Sequence, residues 1–185
     1  MRTIGTTCGS GWVYYYRMWN DSIPLGFLIT FRCYGTWLHG DERGSTDRHN
    51  NAYKSPHIPR NETWRKHNAD TLRGNPVKLG LKQREVVESS ILETCKFRNW
   101  EVFALNVRTN HVHVVVYSGG KEPGRLLNGF KANATRMLRE AGLWNNERSP
   151  WADKGSNIYL WNELNLSIAI KYVVEGQGGP LPELE

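Results

Sequence analysis

His111 and His113 are the residues of this chain whose type and spacing best suit holding a divalent cation. They lie in Asn106-Val107-Arg108-Thr109-Asn110-His111-Val112-His113-Val114-Val115-Val116-Tyr117. Most of that run is β-branched and apolar, the composition of a buried strand. Side chains alternate along a strand, so both imidazoles point one way as a two-pronged claw. Val112 and Val114 point the other way, into a core. A His-x-His strand also arises by chance, and a second element gives this one its weight. That element is Ala169-Ile170-Lys171-Tyr172-Val173-Val174-Glu175-Gly176-Gln177, read as the end of a helix.

A tyrosine can attack a DNA phosphodiester and form a covalent phosphotyrosine, with a sugar hydroxyl as leaving group. Phenol is a weak nucleophile near neutral pH, so a cation must polarise the phosphate and hold the strand in line. Two histidines then need a third ligand, and Glu175 and Gln177 are the candidates. Four positions after Tyr172, on the same helix face, comes Gly176, which has no side chain. Glu175 falls about 60° off that face and Gln177 about 140° off. Gly176 is expected to end the helix, and a left-handed conformation there would swing Gln177 back. Gln177 is favoured, with Glu175 the alternative.

The remaining composition narrows the partners. The 185 residues carry a formal charge of +6, which suits a phosphate backbone. No apolar run is long enough for a membrane span and no signal architecture opens the chain, so a cytoplasmic protein is expected. Cys8, Cys33 and Cys95 are widely spaced without a CxxC, so they read as reduced, idle thiols.

The claw and the tyrosine need a scaffold. Strands are expected over residues 26–33, 100–107 and 157–161 besides the histidine strand, with a hairpin through Arg108-Thr109-Asn110. Helices are expected over about 81–98, 122–141 and 163–175, from the stripes Val87/Ile91/Cys95, Leu126/Phe130/Ala134/Met137/Leu138/Ala141 and Leu166/Ala169/Ile170/Val173. This order predicts a ferredoxin-like α+β fold. It has one antiparallel sheet with helices on one face, the histidines on a central strand, and a C-terminal helix carrying the tyrosine. Residues 1–23 read as an extension, 24–180 as one domain and 181–185 as a tail. The segment from Gly40 to about Gly80 is long for a connection. Its Arg43, Arg48, Lys54, Arg60, Arg65 and Lys66, interleaved with Tyr53 and Trp64, suit nucleic-acid contact. Lys131, Arg136 and Arg139 lie on the polar side of the 122–141 helix and are candidate phosphate contacts.

Asn110-His111-Val112-His113 together with Tyr172-Val173-Val174-Glu175-Gly176-Gln177 resembles the single-tyrosine HUH transposases of small bacterial insertion sequences. HUH there means His, hydrophobic, His. The motifs equally resemble the domesticated relatives of those enzymes, the REP-associated tyrosine transposases. The resemblance spans about residues 25–180 and takes in Leu28-Ile29-Thr30-Phe31 and Phe130-Lys131-Ala132-Asn133-Ala134-Thr135. It implies an enzyme that cuts and rejoins single-stranded DNA at hairpin-flanked sites, joining its tyrosine to a 5′-phosphate and leaving a free 3′-OH. It also implies Mg2+ or Mn2+ held by His111, His113 and Gln177, with Tyr172 as nucleophile. A homodimer is implied too, in which the tyrosine helix can complete the partner's site. The Tyr172-to-Gln177 spacing of five departs from the four of the best-known members. DNA transposition is the implied role; the alternative is a domesticated relative that binds or nicks host repeat hairpins without mobilising itself. Two-histidine RNA-ligase-like esterases need two His-x-Thr/Ser motifs, and no such pair is present.

Overall fold

The computed structural model describes residues 23–42, 59–178 and 181. The expected 1–23 extension lies outside them apart from Ile23, as do Arg43, Arg48, Tyr53 and Lys54. In chain order the elements are β1 (Gly26–Cys33), α1 (Glu62–Asp70), α2 (Leu81–Arg98), β2 (Glu101–Val107), β3 (His111–Tyr117), α3 (Pro123–Glu140), β4 (Trp151–Leu160) and α4 (Glu163–Glu175). The sheet order is β2-β3-β1-β4, antiparallel throughout. That is the expected ferredoxin-like arrangement, and it puts the histidine strand β3 inside the sheet.

Alternation along β1 and β3 divides the apolar residues between two faces. Phe27, Ile29, Phe31, Val112, Val114 and Val116 join α2 and α3 in the main core, through Val87, Ile91, Cys95, Leu126, Phe130, Ala134 and Leu138. The opposite face carries a smaller cluster of Leu28, Ala104, Val115 and Leu160 under Ala169 and Val173 of α4. So α2 and α3 share one face as expected, while α4 covers the other. His111 and His113 share the parity of Val115. The strand that buries Val112 and Val114 under α2 and α3 therefore presents both imidazoles to the helix that carries Tyr172.

Local chemistry sets the ends of these helices. The Asn162 side chain caps α4 by accepting from Asn165 N–H at 2.8 Å. Asn99 closes α2 in the left-handed region, with φ 55°. Pro123 opens α3, where its missing N–H costs nothing.

Two features depart from the sequence expectations. The 40–80 segment contains α1, a nine-residue helix with no buried residue. Trp64 and Ala69 are its only apolar residues, so no apolar stripe marks it in the sequence. Strand β4 begins at Trp151, six residues before the expected start. Its pairing with β1 shifts between Phe31 and Cys33, so Ala152, Asp153 and Lys154 bulge out of register. A polar run that bulges shows no alternation in sequence.

Candidate active site

The β2–β3 hairpin closes with Arg108 N–H donating to His111 O at 2.8 Å. Across the sheet, His113 faces Thr30 of β1 on one side and Asn106 of β2 on the other, and His111 faces Arg32. The two imidazole rings are 4.6 Å apart, centroid to centroid. Each is held by its Nδ1, which lies 2.7 Å from Asn110 Oδ1 in His111 and 2.7 Å from Thr30 Oγ1 in His113. With Nδ1 engaged, Nε2 of each ring is the nitrogen left to face outward, the arrangement that outer partners impose on metal-binding histidines. His113 is only 4% exposed. Burial first, then the neighbouring His111, pull its imidazole down to about 4, against a smaller opposing effect from a hydrogen bond with Gln177. At neutral pH it is uncharged and keeps a lone pair.

Helix α4 reaches this pair from above. Asn106 Nδ2 donates to Val173 O at 2.9 Å and fastens the helix to β2. The Tyr172 ring then stands 5.3 Å from the His113 ring, at 71°, and is 45% exposed. Next to it, Gly176 has φ −83°, so the expected left-handed turn does not occur at that residue. Gly176 is required for space instead. A Cβ there would lie 2.7 Å from Tyr172 O and 3.0 Å from Tyr172 Cδ2.

The chain brings Gln177 back by a side-chain bond. Gln177 Nε2 donates to Tyr172 O at 3.0 Å, which turns Oε1 toward His111 Nε2 at 3.3 Å. Glu175 points away, 3.9 Å from Lys171 Nζ on the exposed side of α4. Of the two candidate third ligands, Gln177 is therefore the one beside the histidines.

The donor set suits a small divalent ion. If Nδ1–H of His111 donates to Asn110 Oδ1, Nε2 is an acceptor facing the Gln177 oxygen, another acceptor. A cation between them satisfies both lone pairs. Among the described residues no three His, Cys, Asp or Glu side chains converge on a common point. An ion here would thus take its third protein donor from the Gln177 amide.

The structure does not bring the three basic residues of α3 to this site, because α3 packs on the opposite face of the sheet. Lys131 Nζ donates to Ala152 O, Asp153 O and Lys154 O at 2.7, 3.1 and 3.1 Å, pinning the β4 bulge. Arg136 pairs with Glu140 at 2.7 Å and Glu93 at 3.4 Å, and Arg139 bonds Asn146 O and Glu147 O. In the 40–80 segment, Arg60 and Arg65 both pair with Glu62. A cleft of about 910 Å³ between α2 and α3 is lined by Arg98, Lys121 and Arg125 among others, and holds neither His nor Tyr. His111, His113, Tyr172 and Gln177 are all on the α4 face.

Sequence reading passed over Thr30 and Asn106. Each is a polar residue flanked by apolar neighbours within its strand, and that break in pattern was the available signal.

The model of the family described as "Transposase IS200 like" matches residues 78–172, just over half of the chain. The chain belongs to the IS200-like transposase family. The matched stretch runs from the entry to α2 through both histidines and ends on Tyr172. No curated protein sequence matches the transposase. Among solved structures it is similar to a REP-associated tyrosine transposase bound to a REP hairpin. The identity is 12% and the TM-score 0.48, over 86% of this chain and 68% of that one. It is also similar to a protein designated a transposase from Deinococcus radiodurans R1, at 12% identity and TM-score 0.41, over 95% of this chain and 100% of that one. Likeness at that level does not bear on chemistry. No helix among the described residues is long and apolar enough to cross a membrane.

Proposed function

We propose that this transposase cuts and rejoins single-stranded DNA at hairpin-flanked sites through a covalent link to Tyr172. The observation that carries the reading is the position of Tyr172, whose ring stands 5.3 Å from the His113 ring. The phenolic oxygen attacks phosphorus, the new bond joins Tyr172 Oη to a 5′-phosphate, and the bond to the 3′ oxygen breaks. The leaving oxygen takes a proton and becomes the free 3′-OH. Rejoining is the reverse attack by a 3′-OH on the phosphotyrosine, which conserves the bond energy. His111, His113 and Gln177 would hold Mg2+ or Mn2+. Bound there, the ion would polarise the phosphate oxygen and neutralise charge as it develops.

The chain's own residues do the rest. Asn110 and Thr30 fix both rings, Asn106 fixes the depth of α4, and Gly176 leaves room for the phenol. Leu164, Ile168 and Val174 of α4 are each more than half exposed, apolar surface that supports pairing of two copies through this helix.

A direct test incubates the protein with end-labelled hairpin single-stranded DNA from its own locus, with Mg2+, Mn2+ or EDTA. A cleaved product that needs both the ion and Tyr172, and disappears in Tyr172→Phe while DNA binding remains, supports the reading. Hairpin binding with no cleavage under any ion would assign the protein to the binding-only alternative.

A further inference from the structure

Trp37 occupies a backbone conformation that its side chain disfavours. Its φ is 59°, and Asn99 is the only other non-glycine at positive φ among the described residues. Asn99 closes a helix, where that conformation is ordinary. A bulky aromatic there is strained, and strain of this kind persists only where the surroundings enforce it.

The enforcing contacts lead into the candidate active site. Arg32 Nη1 donates to Trp37 O at 2.9 Å, and the Arg32 guanidinium also lies over the Trp37 ring, 5.5 Å from its centroid. Arg32 is the β1 residue paired with His111. Thr36 Oγ1 donates to Cys33 O at 2.7 Å and lies 3.3 Å from Asn110 O, tying the turn to the residue that orients His111. On the far side, His39 stacks on Trp64 of α1 at 5.1 Å. The outcome is that the half-buried Trp37 ring stands 6.0 Å from the His111 ring, with the planes at 47°.

We infer that Trp37, clamped by Arg32, is a stacking platform for the nucleobase adjoining the phosphate that Tyr172 attacks. An aromatic face gives every base a partner, and a guanidinium next to it suits the neighbouring phosphate. This base contact would set where along the single strand the reactive phosphate comes to rest. The inference rests on the single-stranded DNA reading above, and the experiment separates the two.

The probe is a hairpin with a short single-stranded tail from the protein's own locus, bound to Tyr172→Phe protein to prevent cleavage. 5-Iodo-deoxyuridine is placed at each tail position in turn, and light-driven crosslinks are mapped by peptide mass spectrometry. A crosslink to Trp37 at one position beside the cleavage site is expected. An abasic site at that position should weaken binding about ten-fold in the parent and leave Trp37→Leu unaffected, since the stack is already lost. Trp37→Phe should keep most of the effect. Trp37→Gly, which relieves the positive φ, should fold and still lack the stack. Equal abasic penalties in parent and Trp37→Leu, or crosslinks that map elsewhere, would overturn the platform while leaving the strand-transfer reading intact. Absence of any DNA binding by the parent would overturn both.

Discussion

At the scale of single residues, the proposed metal site makes unequal demands on two neighbouring side chains. Gln177 has its oxygen beside His111, and Glu175 faces Lys171 on the exposed side of α4. Gln177→Ala should therefore weaken Mn2+ binding, measured by calorimetry or electron paramagnetic resonance, by at least about ten-fold, with Glu175→Ala unchanged. The reverse order would move the third ligand to Glu175. Asn110→Ala frees His111 Nδ1, so it should cost about 10- to 100-fold in the same titration without touching an ion directly. The claw itself was legible because a strand's period of two places His111 and His113 on one face by necessity. Gln177 is favoured over Glu175 by the sequence as well, though through a left-handed Gly176 that does not occur; the true reason for its position was not legible. That position depends on a side chain folding back onto Tyr172 O past the helix end, and helical periodicity stops applying there. Thr30 and Asn106 announced themselves only as polar breaks in apolar strands.

At the scale of elements, the helices and strands with apolar stripes fell where their periods put them; α2 and α4 match the expected 81–98 and 163–175. The misses have a common physical cause. Helix α1 has only Trp64 and Ala69 as apolar residues, and the first half of β4 is a bulge, so neither shows the run of apolar repeats that marks a buried element. The bulge is held instead by Lys131, read beforehand as a phosphate contact. Lys131→Met would leave the Ala152, Asp153 and Lys154 carbonyls without their shared donor and should lower stability by about 1–3 kcal/mol in urea unfolding. Wild-type stability in that variant would show the ammonium to be dispensable there. Gly155 makes the same strand fit, since a Cβ there would lie 2.6 Å from Thr30 O and 2.9 Å from Leu127 Cδ1. Gly155→Ala should cost about 1–3 kcal/mol. Because Thr30 holds His113, it should also weaken Mn2+ binding; destabilisation with unchanged Mn2+ affinity would uncouple β4 from the site.

At the scale of the whole molecule, one sheet separates the main core from the proposed chemistry. Its α2–α3 face holds the main core, and its α4 face holds the claw and the tyrosine. The core face should be chemically inert. Burial raises the Cys33 and Cys95 thiols to about 12, so neither supplies a thiolate near neutral pH. In a Cys8→Ser protein, no thiol should react with Ellman's reagent before denaturation, and two should react afterwards. Fast reaction of the native protein would mean that the core opens readily. The decisive measurement concerns the other face. The covalent DNA adduct formed with Mn2+ is trapped, digested with nuclease and protease, and sequenced by tandem mass spectrometry. The account predicts a nucleotide joined through its 5′-phosphate to Tyr172. An adduct on any other residue, or cleavage with no adduct at all, would contradict it.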